Sequence, residues 1–89
     1  MKEAKNPYYV YLLRCADDSL YCGMTNNPEN RLKMHNEGKG GHYTRSHRPC
    51  RMVYLELVGE KGDALRRERE IKGYDRARKL ELLKDARQV

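Results

Sequence analysis

Five polar side chains of the sequence have the chemistry that cleavage of a phosphodiester requires. A phenol or an imidazole can relay a proton, a guanidinium can neutralise phosphate charge, and a carboxylate can bind a divalent metal. Each also has an ordinary structural explanation, because paired tyrosines usually pack across strands and polar helix faces are usually solvated. Their significance therefore depends on the elements that position them. The five residues are Tyr11, Tyr21, Arg31, His35 and Glu68.

The two tyrosines lie on a predicted β-hairpin. A β-rich run from Tyr8 to Ala16 is followed by turn residues and by a second short strand, Leu20 to Thr25. With a three-residue loop at 17–19, odd-numbered positions oppose odd-numbered ones, and Tyr11 and Tyr21 then share one face. A two-residue loop would reverse that register.

The arginine and the histidine lie on a predicted helix, "NNPENRLKMHNEG", with a signal at each end. Asn27 is a good N-cap, Pro28 suits the first helical position, and Gly38 is a natural stop. Arg31 and His35 are four residues apart, so they are neighbours on one side of this helix.

The glutamate lies on a later predicted helix, "DALRREREIKGY", with Asp63 as its expected cap. At about 100° per residue, Glu68 falls in the middle of the apolar stripe that includes Ala64 and Ile71, whereas Glu70 falls on the charged side. An acid within an apolar stripe is costly unless a cation or a donor meets it. A metal ion would meet that need, and an inward arginine is the structural alternative.

The remaining segments complete a predicted order ββαβαα. A loop, "GKGGHYTRSHRPCR", precedes the third strand, "MVYLELV", and a last helix at about 75–87 begins at the cap Asp75. This order predicts a small two-layer α/β (α+β) domain, with a three-stranded antiparallel sheet and helices packed against it. With 89 residues and no linker, we expect a single domain over 1–89 with its core at about 8–73.

The charge of the chain favours an anionic partner. Nineteen Lys and Arg against 13 Asp and Glu give a net charge of +6, and nucleic acid is the commonest polyanion that a basic surface meets. The loop has no acidic residue between positions 39 and 51, and there Tyr43 could stack on a base. A simple solubility loop is the alternative. The candidate nucleic-acid contacts are Tyr43, Arg45, Arg48 and Arg51.

Several classes of protein are disfavoured by the sequence. No apolar run approaches the ~20 residues that span a bilayer, and the first residues do not resemble a signal peptide. Three dispersed cysteines do not make a disulfide framework, and their spacing lacks the short pair of a zinc site. We therefore expect a cytoplasmic protein with reduced thiols, no membrane partner and no small-molecule cofactor.

These residues, taken in order, resemble the GIY-YIG nuclease domain, and most of all its small bacterial single-domain members. The two triplets that name the family would fall on "YVY" at 9–11 and "YCG" at 21–23, and small members carry stretches similar to "YVYLLRC" and "YTR". Family members then have an arginine on the first helix, a Tyr or His four residues later, and a metal-binding glutamate. These positions are matched by Arg31, His35 and Glu68.

The resemblance implies a metal-dependent endonuclease that hydrolyses DNA phosphodiester bonds with one divalent ion such as Mg²⁺. DNA repair or DNA processing would be a natural setting for this activity. Tyr11 or Tyr21 would relay a proton from the attacking water, and the choice between them stays open. Arg31 would neutralise the phosphate, His35 would position water or phosphate, and Glu68 would hold the metal.

Two departures from the family define the alternatives. Several members have a lysine just after the second triplet, where this chain has Met24, and a tyrosine with no nearby cation is harder to ionise. Well-known members also carry a separate DNA-binding domain, so targeting here would come from the domain itself or from a protein partner. The alternatives are a catalytically weak or inactive nucleic-acid-binding module and an adaptor for an acidic protein.

Overall fold

A three-stranded antiparallel sheet forms the middle of the fold. In the computed structural model, which describes residues 6–86, the strands are β1 (Tyr8–Arg14), β2 (Leu20–Thr25) and β3 (Arg51–Gly59). The strand order is β2-β1-β3, so β1 is central and the other two strands are edges. Positions 10–13 of β1 are all buried, as expected for a strand that is covered on both faces.

Within residues 6–86, four helices accompany the sheet. They are α1 (Pro28–Asn36), α2 (His42–Ser46), α3 (Lys61–Lys72) and α4 (Arg76–Ala86). The predicted order ββαβαα and the α+β class are confirmed. The short helix α2 is a correction, because the sequence predicted a continuous loop there. A five-residue helix spans little more than one turn, which is too short to give a helical pattern of apolar residues.

Alternation along β1 separates two apolar clusters. Val10 and Leu12 point to one face, where they pack with Ile71 of α3 and with side chains of α4. Tyr11 points to the opposite face, where Leu32 of α1 covers it. The helical layer of α3 and α4 therefore covers one face of the sheet, and α1 covers the other.

The hairpin register places both candidate tyrosines on one face, as predicted, and this is the face that α1 covers. The ladder pairs Tyr11 with Gly23 and Leu13 with Tyr21. The loop occupies 16–18, one residue earlier than expected. Its length is still three residues, so odd positions still oppose odd ones.

Two of the predicted helix caps are present. The Asn27 side chain accepts the N–H of Asn30 at 3.2 Å at the start of α1. The Asp75 side chain accepts the N–H of Arg78 at 2.9 Å at the start of α4. Each cap satisfies a backbone donor that has no partner within its helix.

The predicted cap of α3 is wrong. This helix begins at Lys61, with Glu60 as the N-cap residue and no side-chain cap. Asp63 lies inside the first turn and pairs with Arg66. An acid in the first turn still interacts favourably with the helix dipole, so the sequence signal was real but three residues out of place.

The ends of the predicted domain lie outside the described residues. These are residues 1–5 and 87–89, which include the last position of the helix expected at 75–87. Between residues 6 and 86, no helix has the length and apolar character needed to cross a membrane. All three cysteines are free and buried, and the Sγ atoms of Cys15 and Cys50 lie 3.3 Å apart.

Candidate active site

Tyr11 extends from the central strand across the edge strand β2. Its ring lies directly over Gly23, and a Cβ at that position would overlap the phenol ring and its hydroxyl. The side chain is 1% exposed. Glycine at position 23 therefore lets a buried phenol bring its hydroxyl to the edge of the sheet.

His35 is fixed from three sides. Its ring lies against Gly40, where a Cβ would overlap Nδ1. The Nε2 atom is 3.0 Å from the Tyr11 hydroxyl, and Nδ1 is 2.6 Å from the hydroxyl of Thr44. His35 and Thr44 are both completely buried. Both ring nitrogens therefore have a hydrogen-bond partner, and the ring has one orientation.

Arg31 is held beside these groups. One of its Nη2 hydrogens is donated to the carbonyl of Gly40 at 3.1 Å. The same residue, Gly40, therefore makes room for the imidazole and anchors the guanidinium. This arrangement follows from the spacing of Arg31 and His35 on α1, which places both on the side of the helix that faces the loop before α2.

Burial and the neighbouring arginine have opposite effects on the pKa of Tyr11. Burial raises the pKa of Tyr11 to about 12, and the Arg31 guanidinium counteracts that rise. Burial also lowers the pKa of His35, and Arg31 acts in the same direction. Met24, at the position of the family lysine, packs instead in the cluster under α3. The cation that acts on the phenol therefore comes from α1.

Tyr21 links the histidine to the basic loop. Its ring meets the ring of His35 edge to face, with centroids 5.4 Å apart. It also stacks on Tyr43 at 5.8 Å, and Tyr43 stacks on His47 at 4.2 Å. Because Tyr43 already stacks on Tyr21 and on His47, less of its ring is available to stack on a base than the sequence predicted.

Glu68 faces inward from α3, as its helical angle predicts. Its side chain is 14% exposed, and Oε2 lies 3.4 Å from the Nζ atom of Lys72. Its negative charge is one of the causes that raise the pKa of Tyr11, so the carboxylate is within electrostatic reach of the phenol. Glu70 is 56% exposed and pairs with Arg67 at 2.8 Å. The partner of the inward acid is thus a lysine one turn along the helix, and not an arginine.

The Glu68 carboxylate fits a divalent metal as a single protein ligand. Among residues 6–86, no three or more His, Cys, Asp or Glu side chains are grouped so that they could hold an ion. Mg²⁺ is commonly bound through one or two carboxylates, with waters and substrate phosphates as the other ligands. Lys72 is half exposed, so its flexible ammonium can move away from the carboxylate. The residues fit an ion bound together with a phosphate, and not an all-protein cage.

The candidate nucleic-acid contacts separate into two groups. Arg45 and Arg48 are exposed neighbours, since the Nε–H of Arg48 is donated to the Arg45 carbonyl at 3.2 Å. They line a surface cleft of about 440 Å³. Arg51 lies opposite Arg14 in the sheet and lines a neighbouring cleft. Pro49 borders both clefts.

Sequence reasoning missed Thr44 and Gly40. Neither residue belongs to a periodic pattern, because both lie in the segment that was expected to be a loop. The only signal at Thr44 is its place in the "YTR" stretch, which the resemblance noted without a role.

The fold and this arrangement of side chains define a nuclease-type domain, and the chain belongs to the GIY-YIG family. The GIY-YIG catalytic domain matches residues 7–81. The match covers both strands of the hairpin and the helices that carry Arg31, His35 and Glu68.

Relatives of similar length support this assignment. The chain is 46% identical over 78 residues to the UPF0213 protein of Staphylococcus haemolyticus, covering 88% of this chain and 95% of the relative. It is 51% identical over 77 residues to a UPF0213 protein of Syntrophus aciditrophicus, covering 85% and 88%. These names state no activity.

Two solved structures share the fold. The solution NMR structure of the UPF0213 protein BH0048 from Bacillus halodurans has a TM-score of 0.57 and 40% identity, covering 86% of this chain and 82% of the other. The solution NMR structure of EF2693 from E. faecalis has a TM-score of 0.64 and 36% identity, covering 99% and 94%.

The close contacts at the two glycines predict how alanine acts there. Gly23→Ala and Gly40→Ala should each displace an aromatic ring and lower the free energy of unfolding by about 1–3 kcal/mol. Gly62→Ala is the control, because an added Cβ meets nothing within 4 Å there and a helical Gly→Ala change stabilises by up to about 1 kcal/mol. Urea unfolding measures all three, and a Gly40→Ala protein as stable as the wild type would show that the ring is not fixed by this contact.

The lowered pKa of His35 predicts a loss of stability in acid. Below the ordinary histidine value of about 6.5, the unfolded chain binds a proton that the folded protein resists. The contribution of neutral His35 is therefore present above that pH and is lost as the pH falls. The melting temperature should drop between about pH 7.5 and about pH 5, and His35→Gln should reduce that drop.

The exposed His42 provides the control for this measurement. His42→Gln removes the same type of side chain from the surface and should leave the pH-dependent part of the melting temperature as it is in the wild type. Equal pH dependence in all three proteins would contradict the assignment to His35.

Proposed function

We propose that the protein is a metal-dependent endonuclease that hydrolyses DNA phosphodiester bonds. One observation carries the proposal: the buried Tyr11 hydroxyl lies 3.0 Å from His35 Nε2, within electrostatic reach of both Arg31 and Glu68. A proton carrier is therefore in contact with this hydroxyl, and a cation suited to phosphate and a carboxylate suited to a metal both act on it electrostatically. Membership of the GIY-YIG family, a family of nuclease domains, makes nucleic acid the expected substrate.

Tyr11 is the better candidate for the proton relay. It contacts His35 directly and is influenced by both charged groups, whereas Tyr21 serves as an aromatic link between the histidine and the basic loop. In the proposed reaction Tyr11 acts as the phenolate: a water oxygen bonds to phosphorus, and the proton of that water passes to the phenolate oxygen, which becomes the neutral phenol. The bond to the leaving oxygen breaks, and that oxygen takes the bonding electrons.

Arg31 and Glu68 supply the charge for this reaction. Within residues 6–86, the Arg31 side chain donates one hydrogen bond, to the Gly40 carbonyl. A guanidinium has five N–H donors. Those that remain suit the oxygens of a phosphate. Glu68 would hold the divalent ion, Mg²⁺ in the first instance, and a bound ion would stabilise charge on the leaving oxygen.

The basic loop is the proposed DNA-contacting surface. Arg45 and Arg48 point away from the core, and the stacked rings of Tyr43 and Tyr21 connect that surface to His35. Contacts between arginines and phosphates carry no sequence information, so binding should depend little on sequence. A protein partner that supplies targeting would be compatible with such a surface.

The two glutamates of α3 provide the test of the proposed function. In a plasmid-nicking assay with Mg²⁺, we expect the wild type to cut and Glu68→Gln to lose at least about a hundredfold of the rate. Glu70→Gln should cut as the wild type does, because Glu70 lies on the solvent side and pairs with Arg67. Urea unfolding should show that both variants are folded.

The results of this assay separate the competing functions. No cutting by the wild type at any divalent ion, together with salt-sensitive DNA binding, would establish a binding module in place of an enzyme. Cutting that survives Glu68→Gln, or that fails in Glu70→Gln, would remove the metal role from Glu68.

The proposed DNA surface predicts the salt dependence of binding. Each phosphate neutralised contributes about −0.9 to the slope of log affinity against log salt concentration. Replacing Arg45 and Arg48 together with Ala should therefore reduce the magnitude of the slope by about two units. Fluorescence anisotropy with duplexes of different sequence measures the slope.

A matched pair of substitutions controls for net charge. Arg66 and Lys84 are exposed on α3 and α4, on the far side of the sheet from the loop. Their double replacement removes the same charge and should leave the slope nearly unchanged. An equal effect from both double variants would mean that the loop makes no special contact.

A further inference from the structure

A line of buried hydrogen bonds runs from the reacting phenol into the core. Tyr11 Oη is 3.0 Å from His35 Nε2, and His35 Nδ1 is 2.6 Å from Thr44 Oγ1. The exposed fractions of the three side chains are 1%, 0% and 0%. Thr44 comes from α2. Within residues 6–86, its side chain forms a hydrogen bond with His35 and with none of the charged groups of the site. Its hydroxyl reaches the phenol only through the imidazole.

This line of three groups contains one polar hydrogen more than it has hydrogen bonds. A phenol, a neutral imidazole and a hydroxyl each carry one polar hydrogen, and three groups in a row form two hydrogen bonds. One hydrogen is therefore left over, and it belongs to one of the two ends, Thr44 or Tyr11. The position of that hydrogen decides which nitrogen of His35 is protonated.

The Thr44 end is the costly place for the spare hydrogen. Among residues 6–86, His35 Nδ1 is the one hydrogen-bond partner of the Thr44 hydroxyl, and a buried hydroxyl whose hydrogen has no acceptor is destabilising. At the other end, the Tyr11 hydroxyl is also buried, but it lies over the edge strand beside Gly23, where a phosphate oxygen of the proposed substrate would accept the hydrogen. The spare hydrogen therefore belongs to Tyr11.

We propose that Thr44 is a positioning residue that fixes His35 as the Nε2–H tautomer, so that the imidazole donates a hydrogen bond to the Tyr11 oxygen. The Thr44 hydroxyl donates to Nδ1, which leaves the ring hydrogen on Nε2. As a statement about cleavage, this inference rests on the endonuclease function proposed above. A donor at Nε2, together with the Arg31 guanidinium, stabilises the phenol oxygen when it carries negative charge.

The opposite tautomer fits the surroundings less well. In it Nδ1–H would donate to Thr44, and the Tyr11 hydroxyl would donate to Nε2. When Tyr11 ionised, His35 would then have to accept the proton and become charged. Burial and the neighbouring Arg31 oppose that charge, because both lower the pKa of His35. A neutral donor is the role that the environment of His35 favours.

The tautomer can be measured without DNA. In ¹H–¹⁵N spectra of the imidazole at neutral pH, the wild type should show a protonated Nε2 and an unprotonated Nδ1. Thr44→Ser keeps the hydroxyl and should keep this pattern, whereas Thr44→Val should shift the population towards the Nδ1–H form or a mixture. A wild-type spectrum with the hydrogen on Nδ1, or an unchanged pattern in Thr44→Val, would overturn the proposal.

Cleavage kinetics test the consequence for the reaction. Thr44→Val should lower kcat by about tenfold or more, the effect of one lost hydrogen bond, and leave KM and DNA affinity nearly unchanged. Thr44→Ser should restore most of kcat. Full kcat in a Thr44→Val protein with a changed tautomer would show that the orientation of His35 does not matter for cleavage.

The same substitution at Thr25 is the control. The Thr25 hydroxyl accepts the N–H of Asn27 at 3.1 Å, before α1, so Thr25→Val removes a hydroxyl of equal size away from His35. It should leave both the tautomer and kcat at wild-type values. Should Thr44→Val not fold, the wild-type spectrum and Thr44→Ser still decide the tautomer. Should the wild type not cut DNA, the endonuclease function fails while the tautomer is judged by the spectra alone.

Discussion

The site depends on two places where an aromatic ring lies directly against a glycine. The phenol of Tyr11 covers Gly23, and the imidazole of His35 covers Gly40. A side chain at either position would push one ring away from the other, and the 3.0 Å contact between them would be lost. Because Gly40 also accepts a hydrogen bond from Arg31, the same loop position sets the place of the guanidinium. Backbone space, and not side-chain attraction, is the constraint from which the geometry follows.

The small size of the domain explains why the site lies so close to the core. The even-numbered positions of β1 bury apolar side chains against α3, while Tyr11 on the opposite face is buried with polar partners. The chain has seven tyrosines and no Phe or Trp, so each buried ring brings a hydroxyl that needs a partner. The half-buried Tyr54 meets this need by donating to Glu56, and the hydroxyl of the exposed Tyr43 also has a partner, because it donates to Ser19. The tyrosines therefore supply both the aromatic packing of the domain and some of its side-chain hydrogen bonds.

Local signals determined what the sequence could predict. Side-chain alternation placed Tyr11 and Tyr21 on one face, and helical periodicity turned Glu68 inward, because both depend on regular geometry alone. The nuclease assignment needed the family resemblance as well. Thr44 could not be found in this way, since its partner is nine residues away across a glycine-rich turn whose path no periodic pattern encodes. The separation of Arg51 from the other loop arginines likewise depends on tertiary position, which composition cannot show.

Opposed charges around one phenol give the site its chemical character. Burial and the Glu68 carboxylate raise the pKa of Tyr11, while the Arg31 guanidinium lowers it. A phenol with a pKa of about 12 is a strong base once ionised, but it is rarely ionised at neutral pH. Any cation that neutralises the Glu68 carboxylate removes one of the effects that keep the phenol protonated. Lys72, whose Nζ atom lies 3.4 Å from the Glu68 carboxylate, neutralises it in part. A dication would neutralise it more strongly, because Coulomb energy scales with charge. The acid on α3 and the phenol on β1 are therefore electrostatically linked, although they belong to opposite faces of the sheet.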